Sequence, residues 1–293
     1  MVTDASASIF DMEQSTRSVL RKVGRWEFHE EDYQQLVIWA EHLGGDLEGL
    51  VNHFNDSFKT QNKKGDLQVA RLSSWVIEGR IRYADFSEQG RDILDLSHTR
   101  HLKILRCGRN RLTNLDLSHT PHLEKLYCFS NQLTELDLSQ VPDLTHLFCG
   151  INQLSNLDLS HAPSLTGLMC NNNQLTELEL SHLPNLTELA CGYNQLRDLD
   201  LLHTSDLRYL SCLKNQLTEL DLSHATNLTK LWCPGNVLAH LDLFYTPALM
   251  QLWCRNNKLT KLDVRPCKNL RLLSSDPQVE VKCLPSQNVR GVK

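Results

Sequence analysis

One repeating unit governs most of this 293-residue sequence. From about residue 94 the sequence restarts every 21 residues. A representative unit runs from Leu123 through Cys128 and Asn131 to Leu138, and a short polar turn precedes the next unit. Such a unit cannot fold alone, because each buried apolar side chain contributes only about 1.5–3 kcal/mol, while ordering the chain costs about 1.5 kcal/mol per residue. The sequence therefore predicts stacked coils that share one core.

Within the unit, apolar residues alternate with other residues in two places. Leu126 and Cys128 occupy every second position of the first segment, which is typical of a strand with one buried face. Leu136 and Leu138 flank Asp137, which predicts a second short extended segment with both leucines pointing inward. Each coil is therefore expected to contain two extended segments joined by turns.

The pattern LxxLxLxxNxL, with cysteine in the third apolar position, resembles the leucine-rich repeats. The short unit that ends in LxxLDL is similar to a subclass common in bacterial proteins. Eight full units run from Leu102 to Asn269, between degenerate units at Ile81–Gln89 and Leu270–Ser275. The resemblance implies an α+β repeat protein: a right-handed leucine-rich-repeat β-solenoid of about nine to ten coils with a small helical N-terminal cap.

Eight of the ten cysteines share one register: Cys107, Cys128, Cys149, Cys170, Cys191, Cys212, Cys233 and Cys254. Cysteine is small and usually buried, so we expect a core ladder. A metal site would need closely spaced ligands such as Cys-x-x-Cys, and stacked parallel side chains do not face each other as a disulfide requires. Buried free thiols fit a reducing compartment. Cys267 and Cys283 lie off register and have no assigned role.

Three further residue types recur at fixed positions. An asparagine follows each ladder cysteine by three residues, and the resemblance implies that its amide bonds the backbone of its turn and of the next coil. A histidine row could hold zinc or sense pH, and an acidic row could bind calcium, but both are explained more simply as solvated turn positions. The histidines are His98, His119, His161, His182, His203 and His224, and the acidic row runs from Asp95 to Asp263.

The residue before each ladder cysteine should project outward from the first strand, and several of these residues are large and apolar. Solvent gives no reason to place aromatic side chains there, and exposed apolar patches usually mark interfaces in which tyrosine and tryptophan anchor the partner. The candidate partner-binding residues, including neighbours expected to face the same way, are Tyr127, Phe129, Phe148, Ile151, Met169, Tyr193, Tyr209, Trp232 and Trp253. Two alternatives stay open: stacking that only stiffens the sheet, and coverage of the aromatic residues by a terminal segment.

Residues 1–78 lack the repeat, and their apolar spacing favours helices. We expect helices around Val19–Val23, Tyr33–Leu43, Leu47–Phe58 and Leu67–Trp75. Because the first coil of a solenoid exposes its core, these helices are expected to form a cap; the alternative is a separate module that docks elsewhere or aids export. The predicted domains are therefore 1–78 as cap or module, 79–275 as solenoid, and 276–293 as a C-terminal tail or cap.

Composition and motifs narrow the function classes. The net charge of −5 gives no support for a nucleic-acid partner, and no apolar run is long enough to span a membrane. We find no phosphate loop, no metal-ligand spacing and no nucleophile elbow, so we expect a protein without cofactor or metal that is not an enzyme. The sequence favours a monomeric scaffold that binds a protein.

Location is less constrained. The N-terminus shows no secretory signal, so a cytoplasmic, reducing compartment is expected. However, the Ser/Thr-rich first 20 residues resemble the tails of bacterial leucine-rich-repeat proteins that are injected into host cells. The alternative function is therefore an exported effector that acts by binding a host protein. The few residues after the last coil give no support for the catalytic domain of the ubiquitin-ligase effectors of this type.

Overall fold

The structure, a computed structural model, describes residues 81–287 and 289–291 in full. Between residues 20 and 80 it describes only the backbone of short strands. These strands form antiparallel pairs: β1 (Leu20–Val23) with β2 (Trp26–His29), β3 (Lys59–Gln61) with β4 (Leu67–Val69), and β5 (Val76–Ile77) with β6 (Arg80–Ile81).

Two of the expected N-terminal helices are therefore wrong in part, since strands stand at Leu20–Val23 and Leu67–Val69. In both segments the apolar residues are too few to separate a helical from an extended pattern. For the first, pairing with β2 accompanies the extended conformation. The helices expected over 33–43 and 46–58, and the Ser/Thr-rich start, lie outside the described residues; the part of the chain that is described contains no helix.

The 21-residue repeat produces a parallel sheet. Its ten strands are β7 (Tyr83–Asp85), β8 (Ile104–Arg106), β9 (Lys125–Tyr127), β10 (His146–Phe148), β11 (Gly167–Met169), β12 (Glu188–Ala190), β13 (Tyr209–Ser211), β14 (Lys230–Trp232), β15 (Gln251–Trp253) and β17 (Leu272–Ser274). Neighbouring strands pair without slippage, so equivalent residues of successive coils lie side by side, as Leu126 does with Leu147. Each coil supplies one strand, and the expected β-solenoid is confirmed.

The core lies behind this sheet. The middle leucine of each strand from β8 to β15 and the ladder cysteine two residues later are fully or almost fully buried. In the second half of the coil, Leu136 and Leu138 are buried and Asp137 between them is exposed, as expected. No ladder of strands is formed there among residues 81–260, and only β16 (Lys261–Asp263) pairs with a strand, β18 (Glu280–Lys282).

The C-terminal residues continue the coil at the end of the solenoid. Residues of β18 pair in parallel with β16, and the Leu273 amide donates to the Arg290 carbonyl oxygen at 2.9 Å. Residues 280–282 and Arg290 therefore extend both sides of the last coil and supply hydrogen-bond partners for its backbone.

The asparagine ladder ties each turn to a neighbouring coil. The Asn131 amide donates to the carbonyl oxygens of Cys128 and, in the preceding coil, Cys107, both at 3.0 Å. Its side-chain oxygen accepts from the Leu112 amide at 3.0 Å. The expected bonding to the turn is confirmed, but the expected bonding to the next coil is wrong, because the amide reaches the backbone of the preceding coil. These bonds offset the cost of burying the amide.

Candidate functional site

The outward side chains of the first strands form one continuous column, because the sheet keeps its register. We call this column the aromatic strip; it consists of Arg106, Tyr127, Phe148, Met169, Ala190, Ser211, Trp232 and Trp253. At one end the Arg106 guanidinium lies 5.0 Å from the centre of the Tyr127 ring. Tyr127 stacks on Phe148 with ring centroids 4.6 Å apart and an interplanar angle of 12°. This end of the strip is a cation–π and stacking chain.

A second aromatic cluster lies at the other end of the strip. The Trp232 and Trp253 rings stack at 4.7 Å with an interplanar angle of 11°, and Tyr209 meets Trp232 edge-on at 5.2 Å. Burial raises the pKa of Tyr209, with a smaller opposing effect of its hydrogen bond with Ser211. Ser211 itself is only 4% exposed. Together with Met169 and Ala190, this small residue separates the two clusters, so the structure does not bring all the aromatic candidates together.

The remaining candidates lie beside the strip rather than on it. Phe129 leans over the preceding coil, where a Cβ on Gly108 would come within 2.9 Å of its ring. Ile151 and Tyr193 share a turn position, two residues after a ladder cysteine, at which the backbone adopts φ of 57° and 54°. Asparagine and glycine tolerate the left-handed region far better than a β-branched residue such as Ile151. The same position elsewhere holds Arg109, Ser130, Asn172, Lys214, Gly235 and Asn256.

Exposure separates the candidates into two groups. Ile151, Tyr193 and Trp253 are 52%, 51% and 43% exposed. The other six, which are half-buried, are Tyr127, Phe129, Phe148, Met169, Tyr209 and Trp232. The half-buried rings support their neighbours in the sheet, whereas the three exposed side chains have apolar surface available for a partner.

Some large surface side chains were not among the residues predicted from the sequence. His146 stacks on Phe148 at 6.4 Å and lies over Gly167, where an added Cβ would be 3.2 Å from the ring. Burial lowers the pKa of His146, with a further contribution from the nearby Lys125. On the other side of the coil, Phe244 and Tyr245 form an exposed edge-on pair. The sequence could have indicated this pair, because Phe244 and Tyr245 replace the Ser-His dipeptide found at the equivalent position of most repeats.

The cysteine ladder is buried and unreactive. All ten cysteines are free thiols, and nine of them are buried, with Cys283 exposed. Burial raises the thiol pKa throughout the ladder, to about 12 for Cys170 and Cys212. Because the thiolate is the nucleophile and the metal ligand, such thiols are chemically inert. The ladder therefore belongs to the core, as predicted.

The acidic row shapes the turns. The Asp137 carboxylate accepts a hydrogen bond from the Ser139 amide at 2.8 Å, and equivalent bonds recur from Asp95 to Asp263. These backbone and side-chain hydrogen bonds lower the pKa of Asp137. Within residues 81–287 and 289–291, no group of three potential metal ligands converges. Most of the histidine row is exposed at the adjacent turn position.

Comparison with known proteins supports the same architecture. A family model described as Leucine Rich repeats (2 copies) matches residues 163–203. The functional domain of InlJ from Listeria monocytogenes, which includes a cysteine ladder, is 28% identical with a TM-score of 0.61; the match covers 82% of this chain and 61% of that chain. YopM from Yersinia enterocolitica is 26% identical with a TM-score of 0.50, over 63% of this chain and 46% of that chain.

A leucine-rich-repeat protein from Leptospira interrogans is 24% identical with a TM-score of 0.59, and covers 66% of this chain and 58% of that chain. The chain thus spans about three fifths of the length of the InlJ domain and of the Leptospira protein. No curated protein gives a significant match. Among the described residues, no helix is long and apolar enough to cross a membrane. The chain contains leucine-rich repeats, whose 21-residue coils stack into a β-solenoid of about ten turns.

Proposed function

We propose that this protein is a scaffold that binds a protein partner through the aromatic strip and the adjacent turn residues Ile151 and Tyr193. Leucine-rich-repeat folds generally serve as protein-binding scaffolds without enzymatic activity. What we add to this general role is the surface that contacts the partner. The observation that carries it is the presence of large, exposed apolar side chains at turn positions where the backbone favours glycine or asparagine.

Backbone strain is the reason that large side chains at these turn positions point to a binding role. A left-handed conformation costs an L-residue roughly 1–2 kcal/mol, and the cost is greatest for β-branched residues such as isoleucine. Asn172 and Gly235 show that the repeat accommodates residues better suited to this position. Strained residues of this kind cluster at binding sites, where the side chain has a role that outweighs its cost to stability.

The stiffening alternative explains only part of the strip. Stacking accounts for the half-buried pair Tyr127–Phe148 and for Trp232 against the more exposed Trp253. It does not account for Tyr193, which has no ring contact among the described residues, or for Ile151. Residues 280–282 and Arg290 pair with the last coil, and coverage of the strip by residues 1–78 stays an alternative.

The test is affinity capture with a matched control. The binding variant carries Ile151→Ala, Tyr193→Ala and Trp253→Ala, which remove exposed side chains and leave the half-buried rings in place. The control carries Leu202→Ala, Phe244→Ala and Tyr245→Ala, which remove similarly exposed side chains from the other side of the coil. We expect a partner retained by wild type and control and lost by the binding variant. Equal retention by both variants would refute the proposed surface.

Export into a host cell is the second candidate. It has the same binding chemistry and differs only in where the partner is found. Similarity to InlJ and to YopM, both from bacteria, is compatible with it. The test is a reporter fused to residues 1–30: secretion of the reporter by the native export machinery would support this candidate, and retention would oppose it.

A further inference from the structure

The C-terminal end of the outward face combines aromatic rings with unusually dense positive charge. A groove with a volume of about 640 Å³ lies beside the Trp232–Trp253 stack and is lined by Lys230, Met250, Gln251, Arg271, Leu272 and Arg290. Three of these six residues are cationic and none is acidic. Leu272 is 38% exposed within this groove.

The sheet register fixes the order of these groups. Lys230, Gln251 and Leu272 occupy the same position in successive strands, and Leu272 forms an isolated bridge with Arg290. At about 4.8 Å per coil, Lys230 and Arg290 are roughly 14 Å apart along the sheet. Cationic side chains therefore lie on both sides of Gln251 and Leu272, and Arg271 lies next to Leu272.

The opposite side of the coil has the reverse charge. A groove there is lined by Asp158, Glu177, Glu179, Asp198 and Asp200, with Arg197 and His182 as the basic residues among its lining side chains. The cationic and the acidic groove linings are thus separated on the surface, although the net charge of the chain is −5. Such separation attracts an oppositely charged partner to one side and repels it from the other.

The tryptophan geometry bears on which anion this face suits. Trp232 and Trp253 stack across neighbouring coils, so each ring covers one face of the other, and Tyr209 meets Trp232 edge-on. Single-stranded nucleic acids bind by stacking bases on exposed ring faces. Mutual stacking leaves less ring face for nucleobases, and the three cations of the groove favour carboxylates.

We propose that this groove, beside the Trp232–Trp253 stack, binds an extended, acidic segment of the protein partner, with carboxylates against Lys230, Arg271 and Arg290 and an apolar side chain against Leu272. The inference rests on the proposed function and specifies the chemistry of the partner. An extended peptide advances about 3.3 Å per residue, so roughly four to five residues cross the groove.

The experiment uses the full chain and a displayed library of random peptides of about 12 residues, long enough to cross the groove at about 3.3 Å per residue. The charge variant carries Lys230→Glu and Arg271→Glu. The control carries Lys261→Glu and Lys268→Glu, which give the same change in net charge at exposed positions outside the groove. We expect peptides enriched in Asp and Glu around an apolar residue, which bind wild type and control equally and the charge variant about tenfold more weakly, with affinity falling as salt rises.

Enrichment without acidic residues, no enrichment, or equal binding to the charge variant would overturn the inference. Tighter binding of a fluorescent oligouridylate than of the best peptide would assign the face to nucleic acid and would also overturn it. Affinity capture of the partner distinguishes a failure of this inference from a failure of the proposed function. If the charge variant keeps a partner that the Ile151, Tyr193 and Trp253 variant loses, the proposed function stands and the acidic partner does not.

Discussion

The side-chain amide of Asn173 bridges two coils by donating to the carbonyl oxygen of Cys149 at 3.1 Å, while its own side-chain oxygen accepts from the Leu154 amide at 3.0 Å. A third bond, at 3.0 Å, reaches the Cys170 carbonyl oxygen within its own turn. One buried amide thus satisfies backbone groups of adjacent coils that would otherwise lack partners. The stability of the stack depends on this ladder as well as on its leucines.

Replacing Asn173 by leucine should destabilise the fold by roughly 1–3 kcal/mol, because buried backbone groups lose their hydrogen-bond partners. Denaturant unfolding followed by circular dichroism measures the change in the free energy of unfolding. Gln174→Leu is the control, since Gln174 is exposed and adjacent. Equal midpoints for both variants would contradict a structural role for the ladder.

Ile151 and Asn172 offer a reciprocal pair at one turn position, both with a left-handed backbone. Ile151→Asn should raise the free energy of unfolding by about 1 kcal/mol and Asn172→Ile should lower it by a similar amount, because isoleucine is strained in this region. Thermal or denaturant unfolding checks the signs. The first variant should also bind the partner less tightly, and a stabilised variant with unchanged binding would remove Ile151 from the proposed surface.

The acidic turns should make stability depend on pH in the acid range. Hydrogen bonds and the charge of Arg265 lower the pKa of Asp263 from 3.8 to about 2. Since the folded pKa lies below the unfolded value, the charged carboxylate stabilises the fold fully above about pH 4, and this contribution is lost as pH falls towards 2. Asp263→Asn should therefore flatten the decline of melting temperature over this interval. Its effect should be modest, because the group is exposed and screened by solvent and salt.

Thiol accessibility should divide the cysteines into two classes. A thiol reagent at pH 8 should label Cys283 in the native protein, because the other nine thiols are buried and burial raises the pKa of the ladder thiols. Full labelling should require unfolding. Cys283→Ser should abolish native labelling; rapid labelling that persists in this variant would show that the ladder opens.

The sequence was sufficient to predict the solenoid because its signals repeat in register. Leu126, Cys128 and Asn131 each have equivalents every 21 residues, so a local ambiguity in one coil is resolved by its neighbours. The N-terminal segment has no such redundancy. A few apolar residues around Leu20 fit a helix or a strand, and pairing with Trp26–His29, a tertiary preference, decided the outcome.

The candidate surface was predictable in position but not in detail. Alternation alone placed Tyr127 and Trp253 outward, and the structure confirms that orientation. Whether a ring is stacked or exposed depends on its neighbours 21 residues away, as for Trp232 between Tyr209 and Trp253. The strain at Ile151 and the charge separation around Lys230 also required the folded coil, because both depend on backbone angles and on residues distant in sequence.

The central claim is that the outward face of the sheet contacts a protein partner, and photo-cross-linking tests it most directly. A benzophenone amino acid is incorporated in place of Trp253 in one sample and in place of Phe244 in another, and both are irradiated in the presence of the captured partner. We predict a cross-linked adduct from position 253 and none from position 244. An adduct from position 244 without one from position 253 would place the interface on the other side of the coil and contradict the account.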